Sequence, residues 1–174
     1  VEGCAPGFYR SVFVARAEDP RETLAAFDGA RFAYNEALSQ SGWAAPQTHA
    51  AKLGIRLPPA DQTGGHRLSA KAVAEGRADV AALDAVTFAL MQDAEAMTRG
   101  LKVVGMTDPT PGLPFITAIG RDPGPIFDVV SAAIAALGPE DRAILRLKGI
   151  VRIPEATYLA VPNPPAPEQI AAMI

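Results

Sequence analysis

A single cysteine, Cys4, stands among 174 residues, so no intrachain disulfide can form and no thiolate metal cluster can be assembled. Histidine is almost as scarce: His49 and His66 are the two present, with neither an H-E-x-x-H pattern nor the paired spacing that would hold zinc. The 16 basic and 19 acidic residues are scattered, giving a net charge of -3 and no basic stripe. Such a surface cannot track a phosphate backbone, so nucleic acid is not an expected partner. The longest apolar stretches, such as IFDVVSAAIAALG (126–138), fall short of the roughly 20 residues that span a bilayer. The glycines match neither a P-loop nor a dinucleotide fingerprint, and no cofactor is expected.

What is abundant is apolar material: 49% of the residues are hydrophobic, enough to build a core. YRSVFVAR (9–16) is β-branched and aromatic and predicts a strand, and DPRETLAAFDG a short helix. RFAYN (31–35) predicts a second strand, followed by a helix from Ser41 to Leu53 that Gly54 closes. After RLPPADQ, expected as a loop, the turn TGGH (63–66) opens a helix ending at Gly76. ADVAALD (78–84) is a buried strand, Ala85 to about Met97 a helix, and LKVVGM (101–106) another strand. Strands alternating with helices predict an α/β fold, a mainly parallel sheet flanked by helices. TDPTPG (107–112) interrupts the pattern, and LPFITAIG (113–120) reads as a further strand. Two helices and the proline-rich tail VPNPPAPEQIAAMI, expected to wrap the surface, complete the chain.

In a parallel sheet each strand-to-helix turn lies at the carboxyl edge, where helix starts present unpaired N–H groups and a positive dipole end. Ser39, Gln40, Ser41 and Gly42 crowd one such turn: the hydroxyls donate and the glycine admits close approach of the backbone. Thr63, Gly64, Gly65 and His66 offer the arrangement a second time. Together they suit one tetrahedral oxyanion. Each residue also has a plainer role, since serine caps helices and paired glycines allow tight turns. Asp84, ending a buried strand, either caps the next helix or faces the cleft; Trp43 is assigned to the core and Tyr9 to either core or ligand. A Ser41–His66–Asp84 triad can be written, but SQSG is not the G-x-S-x-G elbow and no separate oxyanion hole accompanies it.

FYRSVFVAR, GARFAYNEALSQSGWAAP, TGGHRLSAKAVAEGRADVAALD and TPGLPFITAIGRD, taken in that order, resemble the phosphate, phosphite and phosphonate-binding family of ABC-transporter substrate-binding proteins. The resemblance implies a type II periplasmic binding protein fold whose first lobe is incomplete in this chain. Residues 1–19 are then a hinge strand and remnant of the first lobe, 20–107 the second lobe with the anion site, and 108–174 a return strand (Leu113–Gly120) with C-terminal helices. It further implies a periplasmic location, a membrane permease as partner, and ligand contacts at Tyr9, Ser39, Gln40, Ser41 and His66. Members that bind aminophosphonates carry extra acids for the ammonium group; here Asp84 is the one nearby acid, so an aminoalkyl phosphonate is not expected, and a simple oxyanion or some other small molecule stays open. Two other readings stay open: an enzyme of the same fold, as in pyrimidine-precursor synthesis, and a ligand-sensing module. An unpaired apolar edge at residues 9–16 would also invite a second copy, giving a homodimer.

Overall fold

The computed structural model describes Val1 and residues 3–173. The strands are β1 (Phe8–Tyr9), β2 (Ser11–Arg16), β3 (Phe32–Tyr34), β4 (Pro59–Gln62), β5 (Val80–Asp84), β6 (Leu101–Met106) and β7 (Thr110–Pro111). The α-helices are α1 (Ala45–Leu53), α2 (His66–Ala74), α3 (Ala85–Ala94), α4 (Gly124–Ala136), α5 (Pro139–Leu145), α6 (Glu155–Leu159) and α7 (Pro167–Ala171).

Five strands form one sheet in the order β4-β3-β5-β2-β6, while β1 and β7 pair as a separate antiparallel ribbon. β3 runs parallel to both β4 and β5, and β2 runs antiparallel to both β5 and β6. Four strands therefore share one direction and β2 alone is reversed, which makes the sheet mainly parallel in sense but half antiparallel in its pairings.

Side-chain alternation explains why β2 sits at the centre. Phe13 and Ala15 enter one core with Phe27, Phe32, Tyr34, Trp43 and Val80, whereas Val12 and Val14 enter the other with Ala70, Val73, Leu83 and Phe88. A strand apolar on both faces can be satisfied only between two layers. β5 behaves likewise, sending Val80 and Ala82 to the first core and Ala81 and Leu83 to the second. The helices close as their sequences demand: Gly54 takes the left-handed conformation (φ +70°) and returns its N–H to Ala50 and Ala51.

Four expectations are corrected. RLPPADQ is not all loop, because Pro59–Gln62 pairs with β3 as an edge strand; its proline and polar residues concealed it, yet proline is tolerated where a strand begins at an edge. DPRETLAAFDG makes one 3-10 turn, Leu24–Phe27, rather than an α-helix. LPFITAIG is no strand: β7 stops at Pro111, and Leu113, Phe115, Ile116 and Ile119 are exposed. Pro109, Pro111 and Pro114 withhold the N–H groups that a ladder needs. Lastly, β2 is paired on both sides, so Ser11–Arg16 present no open edge to attract a second copy.

The C-terminal third is tethered at a few points. Tyr158 Oη donates to the Gly112 carbonyl at 3.0 Å, and Trp43 Nε1 donates to the Pro165 carbonyl at 3.1 Å. Ile170 packs against the first core, so the tail is more than a wrap. The Arg142 guanidinium collects the Ile134, Ala135 and Leu137 carbonyls and so closes α4.

Candidate functional site

β3 delivers the chain into the serine turn, which opens as a π-helical turn, Gln40–Ala44, before α1 begins. Ser39 is its N-cap, the Oγ accepting the Gly42 N–H at 3.0 Å. Among the described residues, the backbone N–H groups of Gln40 and Ser41 reach no protein acceptor. β2 braces the turn from below, since the buried Ser11 hydroxyl donates to the Ser41 carbonyl at 2.8 Å.

The second turn approaches from β4. Thr63 N–H donates to the Tyr34 carbonyl at 2.9 Å, and Gly64 N–H to the Asn35 carbonyl at 2.8 Å, so the turn is stitched to the end of β3. Gly65 is the N-cap of α2, extended (φ −177°) and without a capping side chain. The first amides of α2, at His66, Arg67 and Leu68, are accordingly unpaired within the described residues.

The two turns meet at one bond: Ser41 Oγ and His66 Nε2 lie 2.8 Å apart. Burial holds the imidazole pKa below its ordinary value, while the Asp84 charge and the Ala82 carbonyl oppose the shift. Tyr9, half-buried on the β1–β7 ribbon, joins them. Its phenol is pushed up to about 12, first by burial and then by the Asp84 carboxylate, while hydrogen bonding from the Ser41 and Thr110 side chains acts the other way.

Asp84 caps α3, its Oδ1 accepting the Thr87 N–H at 2.7 Å, and its charge is felt at Tyr9 and His66. Trp43 is core, 2% exposed and packed on Phe32 and Tyr34. Thr63 is drawn inward instead of toward a ligand, its hydroxyl lying 2.7 Å from Ser69 Oγ, 3.1 Å from the Gly65 carbonyl and 3.2 Å from that of Tyr34. Gly64 spends its amide on Asn35. Gln40 is partly buried and Gly65 keeps only a long 3.5 Å contact from its amide to Thr63. Ser11, Asn35 and Thr110 were not singled out beforehand; a serine inside an apolar strand was the one available sign of Ser11.

The arrangement can surround a small anion with neutral donors, for no lysine or arginine belongs to it; Arg67, the nearest in sequence, is engaged with Glu95 at 2.8 Å. It is a poor hydrolytic triad: the bond a third member would make is missing, since the buried Nδ1 of His66 has no partner and Asp84 is spent on Thr87. A groove of about 710 Å³ lies elsewhere, between α1 and the strap 162–173, with Ala51, Ile55, Pro164 and Ile170 in its lining.

A family model described as the phosphonate-binding periplasmic substrate-binding protein of ABC transporters matches residues 3–158. The chain belongs to that family. No curated protein matches the sequence. Solved structures give the same fold: XAC2383 from Xanthomonas citri bound to chloride ion is similar at a TM-score of 0.67 and 20% identity, over 95% of this chain and 64% of its own. A binding protein component of an ABC phosphonate transporter from Pseudomonas aeruginosa follows at 0.62 and 21%, over 82% and 50%. PhnD1 from Prochlorococcus marinus in complex with methylphosphonate superposes at 0.52 and 20%, over 59% and 42%. The fold is that of the type II periplasmic binding proteins, and the chain spans 64% and 65% of the length of the two Xanthomonas citri structures it matches. Among the described residues, no helix of this family member is long and apolar enough to cross a membrane.

Proposed function

We propose that this chain carries the oxyanion cradle of an ABC-transporter solute-binding protein, taking a small phosphonate-, phosphite- or phosphate-like ligand between the serine turn and the start of α2. The observation that supports this most directly is the 2.8 Å contact between Ser41 and His66, which joins two runs of unpaired helix-start amides. Neutral hydroxyl, imidazole and amide donors neutralise the charge without the desolvation that a buried lysine would bring. Tyr9, on the β1–β7 ribbon, adds its hydroxyl to the ligand's donors beside Ser41. A second wall then closes over the anion and presents the loaded protein to a membrane permease. The family match and the methylphosphonate-bound relative favour this class of ligand.

Calorimetry and NMR titration with methylphosphonate, phosphite and phosphate test the assignment. Ser41→Ala and His66→Ala are each expected to weaken binding by about 10- to 100-fold, the cost of a lost hydrogen bond to a charged group. Unchanged affinity in both variants overturns it.

A further inference from the structure

We propose that Asn35 is a positioning and donor residue of the cradle: its carboxamide oxygen holds the serine turn in place and its NH₂ group is offered to the oxyanion. This rests on the oxyanion reading above and adds to it a contact outside the serine and histidine turns themselves.

Asn35 follows β3 directly, at the point where both turns originate. Its backbone carbonyl receives the Gly64 N–H at 2.8 Å and so anchors the histidine turn. Its side chain goes the other way, onto the serine turn. A Cβ built on Gly42 would lie 1.8 Å from Asn35 Oδ1 and 2.7 Å from its Cγ, so the hydrogen that glycine carries there is aimed at the oxygen. That explains an otherwise anomalous group. Oδ1 is sealed from solvent and receives no N–H or O–H, which costs free energy unless something weaker substitutes; a Cα–H···O contact from Gly42 does so. The two positions act as a pair: the absence of a side chain at Gly42 admits the amide of Asn35.

The nitrogen is in the opposite situation. Among the described residues Nδ2 donates to no protein atom, yet it is not sealed from solvent as Oδ1 is. The flipped amide would press both N–H donors against a carbon and expose the acceptor, losing two hydrogen bonds instead of one. One residue therefore bridges both turns, its carbonyl holding the histidine turn and its carboxamide oxygen the serine turn, and keeps two donors without a protein partner in the residue that joins them. No charge needs to be desolvated to use them.

The test is an NMR titration of the ¹⁵N-labelled chain with sodium methylphosphonate, with the Asn35 NH₂ pair assigned through its loss in Asn35→Asp. The expected result is a saturable shift of that pair with the same midpoint as the Gln40 and Ser41 amides. Asn35→Asp keeps the shape and the oxygen but replaces donors with charge; at a temperature where the variant remains folded it is expected to lose about 10- to 100-fold in methylphosphonate affinity. A silent NH₂ pair while Gln40 and Ser41 shift, or an Asn35→Asp chain that binds within about threefold of wild type, overturns the donor role and leaves the cradle standing. No shift at any of these groups overturns the cradle itself. The anchoring role has its own readout without ligand: Gly42→Ala is expected to lower the melting temperature, and adding Asn35→Ala to recover part of the loss, because the new methyl then has room. Strictly additive losses overturn it.

Discussion

From Ser11 to Pro111 the chain contains every buried residue among those described except Pro167, whereas from Gly112 to Ala166 none is buried. Both stretches are rich in apolar side chains, so composition does not distinguish them. α4, GPIFDVVSAAIAA, is more apolar than α2, yet α2 buries Ser69, Ala70, Ala72 and Val73 and α4 buries nothing. The difference is non-local pairing. β2 and β5 each have sheet neighbours on both sides and helices on both faces, so local pattern and tertiary burial agree. The C-terminal helices have helical propensity, caps and a few tethers, and little else. Such segments open locally at low free energy, while β2 and β5 open only with the whole lobe. The candidate site lies on the first kind of structure, which suits a cradle that must hold donors in fixed positions.

The sharpest break of that comparison would come from Phe13, whose ring is fully buried between β2 neighbours and His49. Phe13→Ala is expected to cost about 3–5 kcal/mol in urea unfolding, against about 0.5 kcal/mol or less for Phe115→Ala on the exposed segment. Equal losses would erase the distinction. Gly42→Ala comes next at about 1–3 kcal/mol, because its methyl meets Asn35; Gly149→Ala, with open space around it, is expected to be silent by the same measurement. Trp43→Phe removes the donor that holds the Pro165 carbonyl and is expected to cost about 1 kcal/mol, with amide exchange quickening at 166–171 before it does in β5.

A smaller effect sharpens the electrostatic side. His66 is held below its ordinary pKa of 6.5, mainly by burial, so the unfolded chain takes up a proton that the folded chain resists. Stability attributable to this group is complete above 6.5 and is lost as pH falls below it. His66→Gln is expected to flatten the decline in melting temperature between neutral and mildly acidic pH; an unchanged slope would assign the decline to other groups. Smallest of all is the Lys52–Asp108 pair, 2.6 Å apart but with both side chains exposed. Lys52→Ala is expected to shift the unfolding free energy by about 0.2–1 kcal/mol, and less in high salt.

How far residues alone led can be judged from particular elements. β-branched and aromatic content in YRSVFVAR and the apolar run ADVAALD identified two strands, and Gly54 and Gly76 marked helix ends that the structure places one or two residues away. β4 was hidden because an edge strand beginning with proline looks like a loop until its neighbour is known. LPFITAIG was misread for the converse reason: an apolar run is a strand only if another strand's N–H and C=O groups come to it, and three prolines nearby prevent that. In the site, the serine turn and the glycine-histidine turn were visible as clusters of donors. The inward partners of the Thr63 hydroxyl were not legible, since which acceptor a hydroxyl chooses depends on what stands about 3 Å away.

The amino-acid sequence by itself determined the alternation of strands and helices, the family, and the supply of small neutral donors at two turns, because these depend on side-chain type and on spacings of two to four residues. Only the tertiary structure decided that β2 runs against its neighbours, that Ser41 and His66 touch, and that Asn35 spans both turns. Those outcomes rest on contacts between distant residues, such as Ser41 with His66 and Val12 of β2 with Met106 of β6. Distances of that kind are set by which surfaces bury each other and not by any local preference of the chain.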